Sequence, residues 1–293
     1  MNNHLISKGE KIFHFVNLVI VTLLAFICLF PFLNVLATAF SDDSAIAKGL
    51  VTIFPVDFQI EAFKQVLRNQ GVVHSLAVTV LITLAGTAFN MLLTTITAYP
   101  LSRPDLAGRG KIMVFIIITM LFNGGMIPTF LVVKNLGMID TPWALILPGA
   151  LNTFNLIVLR TFFQSVPMEL QEAARMDGCG NIRTLFSIMI PLSLPSLATL
   201  TLFYAVAHWN EFFYATLYID NPDWYTLQVK LRQLLLLGQQ AELNEGIQGS
   251  VIQLNEESLK SSTIIFSTIP ILVVYPWLQK YFVKGVMVGA VKG

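Results

Sequence analysis

Apolar runs of about twenty residues or more recur along the chain, and the charged residues are confined to the segments between them. A helix rises about 1.5 Å per residue, so about 20 residues carry it across the hydrocarbon core of a bilayer. Six stretches meet that length, at about 12–40, 72–100, 112–133, 143–163, 184–209 and 262–282. Composition points the same way. Of 293 residues 55% are hydrophobic and 12% charged, with a mean hydropathy of +0.70. Soluble domains carry about 25% charged residues. So few charges cannot cover a water-facing surface, which excludes a soluble enzyme, a disordered chain and a nucleic-acid binder with a basic face. The chain reads as an all-α polytopic membrane protein, with six transmembrane helices in a single domain over residues 1–293.

The first stretch has features of a secretory signal, since Lys8 and Lys11 precede it and Ala37-Thr38-Ala39 resembles a cleavage site. A cleaved signal has an apolar region of only about 7–15 residues. Ile12 to Leu36 is much longer and is expected to stay as an anchor helix.

An even number of spans puts both termini on one side of the membrane, and Lys and Arg are retained on the cytoplasmic side. The N-terminal tail, the 101–111 loop, the 160–183 loop and the C-terminal tail together hold 11 of the 18 basic residues and 5 of the 17 acidic ones, a net of +6. The remaining segments hold 7 basic and 12 acidic residues, a net of −5. Both termini are therefore expected in the cytoplasm. On the outer side, segment 41–71 should carry a short surface helix near Ile60 to Phe63. Segment 210–261 is longer and acidic; its Leu231–Leu237 run is too short to span and reads as an interfacial or partner-contacting helix. Cys28 and Cys179 fall in a span and in a cytoplasmic loop, which does not suit a disulfide.

Between the fourth and fifth spans, Pro167 suits the first turn of a helix. Glu169 and Glu172 complement the dipole at its start, and Gly178 suits a left-handed terminus. A helix of about ten residues is expected there, with Leu170, Ala173 and Ala174 forming an apolar stripe at i, i+3, i+4. Taken alone, such a helix fits lipid contact or simple loop packing as well as docking of another protein.

Glu172-Ala173-Ala174, three residues, Gly178, nine residues, then Ile188-Met189-Ile190-Pro191 resembles the EAA loop, here 164–191, of bacterial ABC importer permeases. The family pattern is E-A-A-x3-G-x9-I-x-L-P, and the one departure is Ile190 in place of Leu. Phe122 to Pro128, Asn135 to Thr141 and the terminal Val286 to Gly293 resemble the carbohydrate-importer branch, in particular the maltose-type second permease and polysaccharide-uptake permeases. The resemblance covers nearly the whole chain. It implies the bacterial cytoplasmic (inner) membrane, a second permease subunit, two ATPase subunits inside and an extracytoplasmic solute-binding protein. The cargo it implies is an oligosaccharide, with uronate oligomers such as alginate fragments included in that branch. It also implies that Glu172, Ala173, Ala174 and Gly178 couple to the ATPase, with Arg175 and Asp177 as flanking contacts. Gly289, Lys292 and Gly293 are implied as a C-terminal ATPase contact.

The sequence contains no Gly-x-x-x-x-Gly-Lys-Ser/Thr phosphate loop and no His/Cys/Asp group with metal-ligand spacing. Neither catalysis nor a cofactor or metal of its own is expected of this chain; ATP and Mg belong to the implied ATPase subunits. Within the spans, Asn123, Asn152 and Asn155 fall near mid-depth, where an amide needs either a neighbouring helix or a sugar hydroxyl. Asn123-Gly124-Gly125 before Pro128 suggests a broken helix. Tyr204, Trp209 and Phe212 are candidates to stack on sugar rings, although the same residue types populate interfacial belts. Tyr204 and His208 share a helix face, which points to a common cavity. A stand-alone secondary sugar transporter or channel is the alternative, but the spans lack the buried carboxylates that ion coupling uses. A membrane scaffold or sensor gives no reason for the EAA spacing.

Overall fold

A computed structural model describes residues 8–122, 124–244 and 256–290, and every described regular element is helical. In chain order these are α1 (Lys8–Ala39), α2 (Asp43–Ala47), α3 (Glu61–Arg68), α4 (Gln70–Ser102), α5 (Arg109–Leu121), α6 (Met126–Asn135), α7 (Trp143–Ile146), α8 (Thr153–Ser165), α9 (Met168–Met176), α10 (Asn181–Thr184), a π turn (Leu185–Met189), α11 (Ile190–Leu192), α12 (Leu194–Trp209), α13 (Phe213–Tyr218), a 3-10 turn (Pro222–Trp224), α14 (Leu227–Asn244) and α15 (Glu256–Ala290). The chain divides into two compact units, Met1–Gln70 with Leu231–Thr268, and Gly71–Lys230 with Ile269–Gly293.

In the first unit α1 is apolar on every side, and its best membrane-crossing stretch has no residue buried. A helix apolar all round is suited to lipid or to another apolar helix. At its end the chain turns into a compact cap. Asp42 accepts from Ser44 N at 3.0 Å to cap α2, and Gln59 Nε2 donates to Asp42 Oδ1 at 3.0 Å. The Phe40 ring stacks on Phe58 and Phe63. The surface helix expected near Ile60 is α3. Within this unit α15 presents small residues, Ser258, Ser261 and Ser262, on a buried face. Ser262 Oγ donates to Ala39 O at 3.2 Å and Ser258 Oγ to Asp43 Oδ1 at 2.6 Å, the close approach that small residues permit in membrane helices.

The second unit is organised along α4, 33 residues and about 50 Å long. Near its Ser102 end, Ala98, Tyr99 and Leu101 pack with Leu156, Phe163 and Leu200 in one apolar cluster. Near its Gln70 end, Val78 and Ile82 pack with Val133, Leu145, Ala215 and Tyr218 in a second.

Three of the expected spans are interrupted. Residues 112–133 are divided between α5 and α6, which meet at 111°, in line with the break expected at Gly124-Gly125. Residues 184–209 are bent by 86° between α11 and α12, where Pro191 and Pro195 flank Ser193 and remove backbone donors. Residues 143–163 were expected as one helix, but α7 ends at Ile146 and α8 begins at Thr153. The reason is local. Leu147 is still helical, but Pro148 after it has no N–H with which to continue α7, and Asn152 starts a new helix by accepting from Asn155 N at 3.1 Å. Three described helices are long and apolar enough to cross a membrane, five if each bent pair is one span. The Leu231–Leu237 run, expected as an interfacial or partner-contacting helix, lies inside the longer α14.

Asp140 has a positive φ of 59°, unusual for a residue with a side chain. Its Oδ1 accepts from Asp220 N at 2.6 Å and Asn221 N at 2.8 Å, while its own N–H donates to Tyr218 O at 2.9 Å. One carboxylate thus fastens the turn after α6 to the turn after α13. Asp140→Ala should lower stability by about 1–3 kcal/mol, and Asp140→Asn by less, since Asn keeps an acceptor and tolerates that φ. Thermal unfolding of the detergent-purified variants measures the difference; equal losses for both substitutions would contradict the assignment.

Candidate functional site

The segment singled out by the sequence folds as α9. Pro167 precedes it, and its end is a Schellman turn: Cys179 N donates to Ala174 O at 2.9 Å and Gly178 N to Arg175 O at 3.0 Å, with Gly178 at φ +76°. Glycine holds that conformation without the strain that most side chains add. The expected stripe of Leu170, Ala173 and Ala174 is split between two faces. Ala174 and Gln171 are buried against the unit, whereas Leu170, Glu172, Ala173 and Met176 are exposed, Met176 at 88%. Ile182 and Phe186, just beyond, are exposed as well. Sequence spacing alone could not choose between the faces, because alanine suits either.

The same loop is held to the end of α4 by charge. Arg103, the first residue after α4, grips Asp105 with both arms, Nε to Oδ1 at 3.0 Å and Nη2 to Oδ2 at 2.6 Å. Its Nη1 donates to Asn181 Oδ1, and the guanidinium lies 5.9 Å from the Tyr99 ring centre. Arg175 Nη2 on α9 reaches Asp105 Oδ2 at 3.3 Å. The hydrogen bond from Arg103, aided by its charge and opposed by partial desolvation, holds the Asp105 carboxyl below its ordinary value. Such a depressed group keeps its contribution above its ordinary pKa and loses it only in stronger acid, so the carboxylate stays ionised at neutral pH. Arg175 and Asp177 are the flanking contacts that the resemblance implies. The structure turns Arg175 toward Asp105, and Asp177 is the exposed C-cap residue of α9. In sequence Arg103 and Asp105 contribute only loop charge and Asn181 carries no signal; their relation is tertiary. A cavity of about 470 Å³ lies beside them, lined by Tyr99, Leu106, Ile182 and Phe186 among others.

The residues proposed for a solute pathway fall into three groups. Tyr204, His208, Trp209 and Asn155 are buried. Tyr204 and His208 do share a face of α12, and that face packs on α4. Tyr204 OH accepts from Asn152 N at 3.2 Å and pairs with Thr94 Oγ1 at 2.8 Å, while His208 Nε2 pairs with Asn90 Nδ2 at 3.1 Å. A Cβ on Gly86 would stand 2.6 Å from His208 Nε2, so the imidazole occupies the space a side chain there would need. Trp209 does border a cavity, an apolar one of about 310 Å³ shared with Val80, Leu202 and Pro270. Asn152 is an exposed helix cap. Asn123, Lys292 and Gly293 lie outside the described residues, and Gly289 lies in α15. The polar run Thr79, Thr83, Thr87, Asn90 and Thr94 follows helical spacing and was the overlooked signal for this seam.

Residues 71–288 match the family described as "Binding-protein-dependent transport system inner membrane component". The chain belongs to this family. It is an inner-membrane permease of the ABC importer type, the component distinct from the ATPase, and it has the fold of a solved relative. That relative is a bacterial ABC transporter involved in the import of the acidic polysaccharide alginate; the likeness has a TM-score of 0.86 at 32% identity and covers 94% of this permease and 98% of that chain. Among curated relatives, the polygalacturonan/rhamnogalacturonan transport system permease protein YtcP of Bacillus subtilis (strain 168) is 44% identical, covering 92% of this chain and 94% of that protein. The arabinooligosaccharides transport system permease protein AraQ of Halalkalibacterium halodurans is 28% identical over 92% of this chain and 93% of that protein.

The seam between α4 and α12 generates a test of packing in the permease. Gly86→Ala should cost about 1–3 kcal/mol because the new methyl group must displace a buried ring. Adding His208→Ala should make the Gly86→Ala step nearly free. Thermal unfolding of the four members of this cycle checks the coupling, and strictly additive losses would show that the two residues do not meet.

Proposed function

We propose that this permease is one half of the membrane path of an ATP-driven importer for oligosaccharides, with α9 as its docking helix. The observation that carries the reading is the exposed apolar and acidic face of α9, Leu170, Glu172, Ala173 and Met176, on a helix stopped by Gly178 and tied to α4 through Arg175 and Asp105. A short helix with small side chains outward lets another protein approach closely. In this reading the 164–191 loop and both termini are cytoplasmic, as the charge asymmetry of the loops supports, and six spans cross the membrane. A second permease subunit completes the path, two ATPase subunits bind ATP and Mg, and an extracytoplasmic binding protein delivers the solute. Glu172, Ala173 and Gly178 contact the ATPase, with buried Ala174 seating the helix against its own unit, while Gly289 and the segment through Lys292 and Gly293 form a second contact. Closure of the ATPase pair moves α9, and the helices it is fastened to shift between inward- and outward-open arrangements that differ by a few kcal/mol.

For the solute, the relatives favour acidic sugar polymers: one is named for polygalacturonan and rhamnogalacturonan, and a structural neighbour serves alginate. We therefore favour a uronate oligomer. Its negative charge is met by the partner permease and the binding protein, since the described membrane-crossing part of α4 and all of α12 carry no Lys or Arg.

Glu172→Lys reverses charge on the exposed face. Gly178→Pro fixes φ near −65° and deletes the N–H donated to Arg175. Both variants should insert normally yet lose the ATPase on copurification and abolish uptake. Retention of the ATPase with normal uptake would refute the docking role. For the solute, binding-protein-stimulated ATP hydrolysis should respond to oligogalacturonate and not to maltodextrin; the reverse preference would refute the uronate assignment.

A further inference from the structure

We propose that Asp105 is a positioning residue for transport, the joint that hands displacement of α9 to α4. The inference rests on the reading of α9 as the docking helix. One carboxylate serves three segments: it takes the fork of Arg103 at the end of α4, receives Arg175 from α9, and orients the Arg103 guanidinium whose remaining arm holds Asn181 at the start of α10. Both sides of the docking loop thus converge on one short loop directly attached to the 33-residue α4.

The two contacts differ in kind. The Arg103 side chain is only 12% exposed, lies by the Tyr99 ring and makes two parallel bonds to Asp105, a geometry that fixes direction as well as distance. Arg175 is 40% exposed and makes a single, longer bond. A solvated ion pair of that kind adds little to stability. Folding of the loop does not need it, because Gln171 and Ala174 already anchor α9 by burial. Its value is directional: it is a bond that can be pulled, joined to one that holds. From α4 the displacement passes to α12 through the Asn90–His208 and Thr94–Tyr204 pairs.

The test uses the complete importer, with both permeases, the ATPase and the binding protein, reconstituted in proteoliposomes. Solute moved per ATP hydrolysed is measured for wild type, Asp105→Ala, Asp105→Glu and Arg175→Gln, and assembly is checked by copurification. Asp105→Ala should assemble with the ATPase but move about fivefold less solute per ATP or worse, and Asp105→Glu should restore most of that ratio. Arg175→Gln leaves the Arg103–Asp105 fork in place and should show the same loss, which keeps the test decisive even where Asp105→Ala fails to assemble. A wild-type ratio in assembled Asp105→Ala or Arg175→Gln complexes overturns the joint while leaving α9 as the docking helix. Failure of Asp105→Glu to do better than Asp105→Ala also overturns it. Retention of the ATPase by Glu172→Lys would instead remove the docking reading beneath the inference.

Discussion

Hydrocarbon offers no hydrogen bond to the backbone of an interrupted helix, so each break within the apolar segments has to find partners inside the protein. The chain has such breaks between α5 and α6, between α7 and α8, and at Ser193. Their resolution shapes the second unit. Asn152 is the clearest case: its side chain caps α8, and its own N–H donates to the Tyr204 hydroxyl, which pairs with Thr94. At Ser193 the backbone N–H returns to Met189 and Ile190. Thr79, Asn90 and Thr94 along α4 thus serve neighbouring segments, with an apolar cluster at either end of the seam.

This arrangement suits a protein that must move without melting. Apolar clusters fix the two ends of α4, while the polar pairs between them are specific in direction and few in number. At the Ser102 end the cluster of Arg103, Asp105, Arg175 and Asn181 adds a charged connection, of which the solvated Arg175–Asp105 pair is the part that exchanges readily. α9 thus presents Leu170, Glu172, Ala173 and Met176 outward while Gln171 and Ala174 pack inward and Arg175 reaches Asp105.

Much of this was legible from residue order. Apolar length gave the membrane class, Pro167 and Gly178 marked the ends of α9 within a residue or so, and the EAA spacing pointed to the family. Gly124-Gly125 announced the break after α5. What could not be read was tertiary. Ala173 and Ala174 are chemically alike, and only packing decides that one is outward and the other buried. Arg103 and Asp105 are two residues apart in a loop, and nothing local shows that Arg175, 70 residues away, joins them. Tyr204 and His208 were rightly placed on one face, but that face lies against α4 because Gly86 leaves room for the imidazole. Apolar length suggests one helix over 143–163, but Pro148 and the capping chemistry of Asn152 divide it.

The central claim is that α9 is gripped by a separate ATPase inside the cell. A photo-crosslinking amino acid at position 173, on the exposed face, tests it in intact cells expressing the whole importer. The account predicts a crosslinked band containing the ATPase subunit that strengthens when ATP is trapped. Crosslinks to lipid alone, or labelling of that position by a membrane-impermeant reagent added outside, would contradict it.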